Sequence, residues 1–408
     1  MRAFTRLFRL LWGDDLDRPL RPVVAVAVVG SASTACVWTF VGIWAIRRLH
    51  AGQTALGVAF LISALVGAAA GYVGGHLSDY VGRKPLILVS WTCQIALMLG
   101  FLAAGDRKPI GLGLVCFSGL FYQIGNAADQ ALVADVVPPE RHEPAYASVR
   151  VGNNLGVTVG PPLGGLLLAV GSWSVLFAGA ASMSALTLAV AWRFLPVRGD
   201  YAAAEPPARR SIDVIVRDRP FLLFLFSSVL AWLVYVSFEV VLPISLVQSH
   251  GLSPAAWGFL VIVNPIVVTL FQLRLTRALQ PVSAAVKLAV GLPLMGLPFL
   301  LLPAIDAAPA VAGMILVFVI GEMLWVPSSQ TVVAGLAPAD IRGAYMGAFG
   351  STAAIGFALA PILGLQIRQS FGDSTVWAVV ALLSLAAGAF GAAACRTAVR
   401  RTLAPAGT

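Results

Sequence analysis

Four ionisable side chains stand inside long apolar runs of the sequence, where a charge is costly. They are Asp129, Arg150, Glu239 and Glu322. A charged group at the centre of a lipid bilayer costs about 2.5–3.5 kcal/mol on insertion scales, so each is a candidate functional group. A carboxyl group in an apolar setting favours its neutral form, which lets it take up and release a proton. These residues predict proton-binding chemistry within apolar helices.

Asp129 and Arg150 are expected to face each other across an antiparallel pair of helices. Arg150 is the only cation that we predict inside a span. At about 1.5 Å rise per residue, both residues lie roughly 9 Å from the same end of the hairpin. Two interpretations stay open: a buried structural ion pair, or a pair that protonation of Asp129 breaks, coupling proton entry to helix movement. Asn126 and Asn154, each one turn from a member of the pair, are expected to line the same cavity.

The two glutamates lie in the second half of the chain, where we predict no partner cation. Glu239 follows Tyr235 by one helical turn, and Glu322 precedes Trp325. Each is expected to bind a proton. At Glu322 a lipophilic cation could take the proton's place, attracted by the ring of Trp325. The alternative is a neutral carboxyl hydrogen-bonded to a neighbouring helix. Tyr122 occupies the position that corresponds to Glu322 in the first half.

The composition excludes a water-soluble protein. Of the 408 residues, 59% are hydrophobic and 11% charged, against about 45–50% and about 25% in soluble domains. The mean hydropathy of +0.89 indicates that most side chains face lipid. We therefore expect an all-α membrane protein with many spans. The net charge of +9 does not indicate nucleic-acid binding, because no basic cluster is interleaved with aromatic residues.

Sequence motifs of several enzyme classes are absent. The chain has no Walker A run, no HExxH and no GxSxG, each of which carries a defined chemistry. The four cysteines lie in or at the edge of apolar stretches without metal-ligand spacing, and we interpret them as small packing residues. We expect no enzyme activity, no cofactor and no metal site.

Charges, prolines and glycines divide the sequence into twelve predicted spans. They run near 22–46, 53–78, 85–105, 110–136, 145–170, 173–195, 220–249, 255–279, 284–304, 309–337, 342–369 and 374–396. Most of the Lys and Arg residues then fall on one side, which predicts that both termini are cytoplasmic.

The spans form two halves joined by a polar, proline-containing linker. The predicted organisation is a cytoplasmic tail, a six-helix bundle, a linker, a second six-helix bundle and a cytoplasmic tail, at 1–21, 22–195, 196–219, 220–396 and 397–408. The halves repeat at an offset of 200 residues. The matched positions include Pro138 with Pro338, Gly156 with Gly356, Pro161 with Pro361 and Gly164 with Gly364. Such a repeat is typical of transporters that alternate access around a central site.

The loop between the second and third spans carries the first recognisable motif. Residues 75–84 read GHLSDYVGRK, which resembles the G-x-L-x-D-x-x-G-R-[KR] loop of the major facilitator superfamily. The resemblance implies a cytoplasmic charge network that holds the outward-open state, formed by Asp79, Arg83, Asp135 and Arg342. The alternative is that the charges only set the topology. The second half does not keep the motif, since Leu279 and Ser283 occupy the matching positions.

The fifth span carries a second motif. Residues 152–165 read GNNLGVTVGPPLGG, which resembles the G-x-x-x-G-P-x-x-G-G signature of the antiporter branches of that superfamily. The matching residues are Gly152, Gly156, Gly160, Pro161, Gly164 and Gly165. Ordinary packing of small residues between helices is the alternative. The fourth-span signature is not intact, because Phe121 stands four residues before Gly125 where the family has Arg.

The resemblance covers essentially the whole chain and implies a twelve-helix secondary transporter. The expected function is a proton-coupled antiporter in the plasma membrane that exports lipophilic or cationic drugs and confers antibiotic resistance. Its expected partners are the small-molecule substrate, protons and membrane lipid, with the chain acting as a monomer. The competing hypotheses are a proton-coupled symporter for a small organic solute, a lipid translocase of the same fold, and a membrane protein without transport activity.

Overall fold

A computed structural model describes residues 16–197, 211–252, 260–261, 263–304 and 307–403. In that part of the chain all regular structure is helical, without strands. Residues 1–15 of the predicted tail and residues 198–210 of the predicted linker lie outside the described residues.

The first half of the chain forms six long helices. They are α1 (Leu20–Arg47), α2 (Gln53–Val81), α3 (Arg83–Ala104), α4 (Lys108–Val136), α5 (His142–Val170) and α6 (Trp173–Phe194). Gly82 alone separates α2 from α3, with φ of 93°, a conformation that favours glycine because it has no Cβ. This glycine places the ends of the two helices, and the charges that flank it, at one turn.

The second half forms six further helices. They are α7 (Arg219–Val236), α8 (Val263–Ala278), α9 (Ala284–Gly296), α10 (Ala308–Leu336), α11 (Arg342–Phe371) and α12 (Asp373–Leu403). Helix α7 continues through a π-helical turn, Ser237–Val241, into a last helical segment, Leu242–Gln248. Short 3-10 helices precede α5 and α11 and extend α9, at Pro139–Arg141, Ala339–Ile341 and Leu297–Ala304.

Ten helices of the described residues are long and apolar enough to cross a membrane. Helices α5 and α8 are not among them. Asn153 and Asn154 and the paired prolines Pro161 and Pro162 lower the apolar character of α5, and only sixteen residues of α8 are described. The prediction of an all-α protein with many spans is confirmed, with α5 and α8 completing the twelve.

The chain groups into two compact units by its internal contacts. The first comprises residues 1–208 and 337–351, and the second comprises residues 209–336 and 352–408. The first part of α11 therefore groups with the first half of the sequence, although the sequence analysis assigned it to the second bundle. The two units are described separately below.

Each unit has an apolar core with aromatic side chains. In the first unit the ring of Trp44 lies 5.2 Å from the rings of both Phe101 and Phe177. In the second unit the rings of Phe238 and Phe318 stack at 4.0 Å. Offset and edge-to-face ring pairs add about 0.5–1.5 kcal/mol beyond the burial of their apolar area. These cores fix the helices that carry the ionisable residues.

Candidate functional site

A charge network in the first unit joins the α2–α3 turn to α4 and to the start of α11. Arg83 donates from Nε to Asp135 Oδ2 at 2.9 Å and also forms an ion pair with Asp79. The other oxygen of Asp135 pairs with Arg342. The side chains of Asp79, Arg83 and Asp135 are at most 6% exposed. The structure thus brings together all four residues of the predicted network.

The carboxylate of Asp79 also caps the start of α11. Its oxygens accept hydrogen bonds from the backbone N–H groups of Gly343 at 2.8 Å and Ala344 at 3.0 Å. A helix N-terminus has unpaired N–H groups and a partial positive charge, so it stabilises an anion there. The sequence analysis missed this role, which depends on a contact across 264 residues.

Glycines allow α2 and the start of α11 to approach backbone to backbone. A Cβ added to Gly75 would collide with the carbonyl of Gly343, and one added to Gly347 would collide with the carbonyl of Gly71. Ser351 continues this contact by donating to the carbonyl of Ala68 at 2.6 Å. The close approach brings the N–H groups of α11 within reach of Asp79.

Asp129 and Arg150 do not form the predicted ion pair. No salt bridge of the described residues joins them. Arg150 is 8% exposed. The hairpin of α4 and α5 is held instead by neutral hydrogen bonds to main-chain carbonyls, such as Tyr146 to Gln130 at 2.9 Å and His142 to Ala134 at 3.1 Å. The sequence predicted that Asp129 and Arg150 lie at the same height along α4 and α5. It did not predict whether the two side chains point toward each other.

The other predicted polar residues of this region bond within their own helices. Asn126 donates to the side chain of Gln123 at 3.2 Å on α4, and Asn154 donates to the carbonyl of Arg150 at 3.0 Å on α5. Tyr122 on α4 is 48% exposed and interacts electrostatically with Asp129. The structure shows no hydrogen bond in the described residues that joins Asn126, Asn154 and Tyr122 into one site.

The glycine motif of α5 packs against α1. An added Cβ would come within 3 Å of a backbone oxygen of α1 at three of its positions. These contacts are Gly156 with Val28, Gly160 with Ala32 and Gly164 with Cys36. Gly152 lies in looser contact with α1, Gly165 only touches the ring of Phe40, and Pro161 lies inside the helix. All motif glycines except Gly165 are four residues from the next along one helix face, and the α1 carbonyls repeat at the same interval.

In the second unit, Glu322 is buried and bonded to a neutral side chain. Glu322 is 4% exposed, and its Oε2 accepts a hydrogen bond from Asn264 Nδ2 at 2.6 Å. Asn264 precedes Pro265 in α8 and is itself 7% exposed. The sequence analysis missed Asn264, although a single amide inside an apolar run is a signal that could have found it. The amide of Asn264 is neutral, so this hydrogen bond places no formal charge beside Glu322.

Glu239 lies at the centre of the π-helical turn that interrupts α7. The hydroxyl of Tyr235 donates to its carboxylate, and Glu239 interacts electrostatically with Glu322. Single π-helical turns inside α-helices are frequent at functional sites. The sequence analysis noted that Tyr235 lies one turn before Glu239, but it did not predict their hydrogen bond or the π-helical turn.

Aromatic rings line the same region of the second unit. The ring of Trp232 lies 5.2 Å from that of Trp325 and 5.3 Å from that of Tyr235. Trp325 also lies 6.3 Å from Tyr235, and Phe357 lies 6.0 Å from Trp232. Such rings bind apolar surface and attract cations through their π-faces. The predicted residues Glu239, Glu322 and Trp325 therefore belong to one cluster of acidic and aromatic side chains.

Lys287 is a buried cation of the second unit. It is the fourth residue of α9 and is 3% exposed. The predicted span 284–304 begins at the same residue as α9, but the sequence analysis did not count Lys287 as a cation inside a span. Ser283 is the N-cap of α9, where its hydroxyl accepts from the N–H of Val286 at 3.4 Å. Lys287 therefore lies in the first turn of α9.

Comparison with known proteins identifies related sequences over most of the chain. The Major Facilitator Superfamily matches residues 23–361. A multidrug resistance protein, MdtH of Klebsiella pneumoniae, is 27% identical over 295 residues that cover 72% of each chain. A Na(+), Li(+), K(+)/H(+) antiporter of Planococcus maritimus is 24% identical over 405 residues that cover 91% of this chain and 94% of the relative.

Solved structures share the fold at lower sequence identity. The human organic anion transporter MFSD10 (TETRAN) aligns with a TM-score of 0.72 at 18% identity, over 92% of this chain and 100% of its own. A bacterial homologue of the iron transporter ferroportin, in its outward-facing state, aligns with a TM-score of 0.73 at 15% identity, over 93% and 98%. The match over residues 23–361 and the twelve helices together show that the chain belongs to the Major Facilitator Superfamily and is a multi-pass membrane transporter rather than an enzyme.

Proposed function

We propose that the protein is a proton-coupled antiporter that exports lipophilic or cationic small molecules across the plasma membrane. The observation that carries this proposal is the pair of acidic side chains in the second unit. Glu322 is bonded by Asn264 and Glu239 by Tyr235, both neutral donors. Because these donors are neutral, a proton or a cationic substrate at the carboxyl does not compete with a positive charge on either of them.

The surrounding rings support binding of a lipophilic cation. Trp232, Tyr235 and Trp325 lie next to the two acids, and Trp325 is 2% exposed. The rings supply apolar contact and a negative π-face, while a carboxylate supplies the charge. The relative named as a multidrug resistance protein and the relative named as a cation/proton antiporter agree with this chemistry.

The proposed cycle alternates protons and substrate at the two acids. Glu322 and Glu239 release protons toward the cytoplasm, the cationic compound binds in their place, and the transporter opens outward. External protons then displace the compound. Because both ligands compete for the same carboxylates, binding of one lowers the affinity for the other, which is the requirement for exchange.

The charge network of the first unit is proposed to stabilise the outward-open state. It would hold the start of α11 on the α2–α3 turn through Asp79, Arg83, Asp135 and Arg342. The excess of Lys and Arg on this side supports a cytoplasmic location for the network and for both termini. On this proposal the network must open before the substrate can enter from the cytoplasm.

The test measures proton movement in proteoliposomes that enclose a pH-sensitive dye. Addition of tetraphenylphosphonium should release protons with the wild-type protein, and Glu322→Gln should reduce the signal to that of liposomes without protein. Glu140→Gln is the matched control, because Glu140 is an exposed acid in the turn between α4 and α5. It should behave as wild type.

Two outcomes would contradict the proposal. One is proton-driven transport that persists in Glu322→Gln. The other is a wild-type protein that moves no protons with tetraphenylphosphonium or ethidium. Gradients of Na⁺, Li⁺ and K⁺, of an organic acid and of a labelled lipid should be tested in the same liposomes. A response to one of these alone would favour a metal-cation antiporter, a symporter or a lipid translocase, respectively.

A further inference from the structure

The face of α8 that packs on α10 carries three buried polar residues, with the apolar Val268 between the first and the second. Asn264, Gln272 and Thr276 follow one another at multiples of four residues, so they lie on one side of the helix. All three are buried, with Gln272 completely inaccessible. At about 1.5 Å per residue the row extends roughly 18 Å, from the partner of Glu322 to two residues before the end of α8. Three buried polar residues between two apolar helices need a physical reason.

Gln272 compensates for a hydrogen bond that a proline removes from α10. Pro327 has no N–H, so the carbonyl of Met323 lacks its usual helical partner. Gln272 Nε2 donates to that carbonyl at 3.0 Å and to Thr276 Oγ1 at 3.1 Å. The amide nitrogen is therefore fully used, and the amide oxygen remains available as an acceptor.

Three buried oxygens along this interface have no partner among the protein atoms of the described residues. They are Thr269 Oγ1, Gln272 Oε1 and Ser329 Oγ. A buried polar atom without a hydrogen bond costs about 1–3 kcal/mol, so three such atoms in one interface indicate bound water. Ser329 lies two helical turns beyond Glu322 on the same face of α10. Ser329 therefore lies beyond Glu322 toward the end of α10, as Gln272 and Thr276 lie beyond Asn264 toward the end of α8.

We propose that a chain of bound water runs between α8 and α10 and carries the proton between Glu322 and the end of α8 near Thr276. The proposal rests on the proposed role of Glu322 as a proton carrier. The Glu322 carboxyl gives its proton to the first water, each water passes one proton on, and the last releases it at the helix end. The carboxylate that remains keeps its hydrogen bond from Asn264.

The polar groups along the path suit transfer in both directions. The hydroxyls of Thr269 and Ser329 can each donate or accept, so they can bind a water in either orientation. The amide oxygen of Gln272 accepts only. With the termini in the cytoplasm, as proposed above, the path ends at the cytoplasmic side. The proton released inward by Glu322 would then leave between α8 and α10.

Radiolytic hydroxyl labelling of the full-length protein in detergent tests for the water. Radicals form from bound water, so a buried methionine beside water is oxidised faster than one in a dry core. Met323 is 3% exposed and its carbonyl accepts from Gln272 of the path, whereas Met295 in α9 is 0% exposed and is the control. We expect Met323 to be oxidised several-fold faster than Met295. Equal rates would overturn the proposal.

Two conservative variants test whether the path carries protons. Thr269→Val and Ser329→Ala remove oxygens that no described protein group binds. In a dry interface these variants would raise the unfolding temperature, because an unsatisfied polar atom disappears. With water present we expect an unchanged or lower unfolding temperature. We also expect proton release to slow by about tenfold, the equivalent of about one lost hydrogen bond, while tetraphenylphosphonium affinity stays as in wild type.

Thr331→Val is the matched control, because that hydroxyl already donates to the carbonyl of Pro327 at 2.8 Å. It should leave proton release unchanged. A raised unfolding temperature in Thr269→Val and Ser329→Ala, or unchanged proton release in both, would overturn the proposal. If the wild type moves no protons at all, the proposed antiport fails, and the Met323 labelling still decides whether water occupies the interface.

Discussion

The acidic residues of the two units have different kinds of partners. In the first unit, Asp79 and Asp135 are bonded by arginines and, for Asp79, by the N–H groups that begin α11. In the second unit, Glu322 is bonded by an amide and Glu239 by a phenol. Arginines and a helix N-terminus place positive charge beside an acid, whereas an amide or a phenol provides a neutral donor. On the proposed function, this difference separates a structural role from a transport role.

The sequence repeat shows how this difference is encoded. The first half has Asp79 and Arg83 around its α2–α3 turn, and the second half has Leu279 and Ser283 at the matching positions. Ser283 caps α9 with its hydroxyl, so the local task of starting a helix is kept while the charge is lost. The two halves share a helix plan but not the charged groups of this turn.

The largest effect on folding is expected from Asp135→Asn. The variant leaves Arg83 and Arg342 without their shared counter-ion, and Arg83 is 5% exposed. Breaking a buried ion pair from one side costs about 3–5 kcal/mol, which chemical unfolding in detergent micelles would measure. Asp106→Asn is the control, since its pair with Arg48 is exposed and should contribute at most about 1 kcal/mol. Equally small losses of unfolding free energy in both variants would contradict a structural role for Asp135, and with it the difference between the acids of the two units.

An intermediate effect is expected from alanine at one helix-packing glycine in each half of the chain. A Cβ at Gly156 meets the backbone of α1 at Val28, whereas a Cβ at Gly364 meets mainly one methyl group of Val241. A methyl group can rotate away but a helix backbone cannot. Gly156→Ala should therefore cost about 1–3 kcal/mol, and Gly364→Ala less than about 1 kcal/mol. The same unfolding assay measures both, and a larger loss in Gly364→Ala would contradict this explanation.

The smallest effect on folding is expected from Glu322→Gln, despite its proposed importance in transport. The amide keeps an oxygen that can accept from Asn264, and no charge is buried or released. We expect a change in unfolding free energy of less than about 1 kcal/mol, since the hydrogen bond is retained. A loss as large as that of Asp135→Asn would show that Glu322 is a structural ion like the acids of the first unit.

The sequence predicted those features that depend on local pattern. Apolar runs and their boundaries predicted the helices, and the GHLSDYVGRK loop led to all four residues of the charge network. Both depend on residues close together in sequence or on a known motif. The same reasoning placed Glu239 one turn from Tyr235, which the structure shows as a hydrogen bond.

Features that depend on rotation between helices were not predictable. The depth of Asp129 and Arg150 was read from sequence, but helix rotation decides whether two side chains meet. Asn264 and Gln272 were missed for the same reason, because their partners lie on another helix and one partner is a carbonyl freed by Pro327. The burial of Lys287 in the first turn of α9 was also missed, because the burial of a side chain at a helix end depends on the neighbouring helices.

The contact of Asp79 with the start of α11 has a consequence for biosynthesis. The N–H groups that complete its binding site belong to residues 264 and 265 positions later in the chain. Translation adds about 5–20 residues per second, so these N–H groups are synthesised roughly 10 to 50 seconds after Asp79. During this interval the first unit is unfinished, with buried acids only partly compensated. A chain truncated before Gly343 would therefore lack the N–H groups that bind Asp79. The first unit, which is synthesised first, would be incompletely folded and open to quality-control proteases.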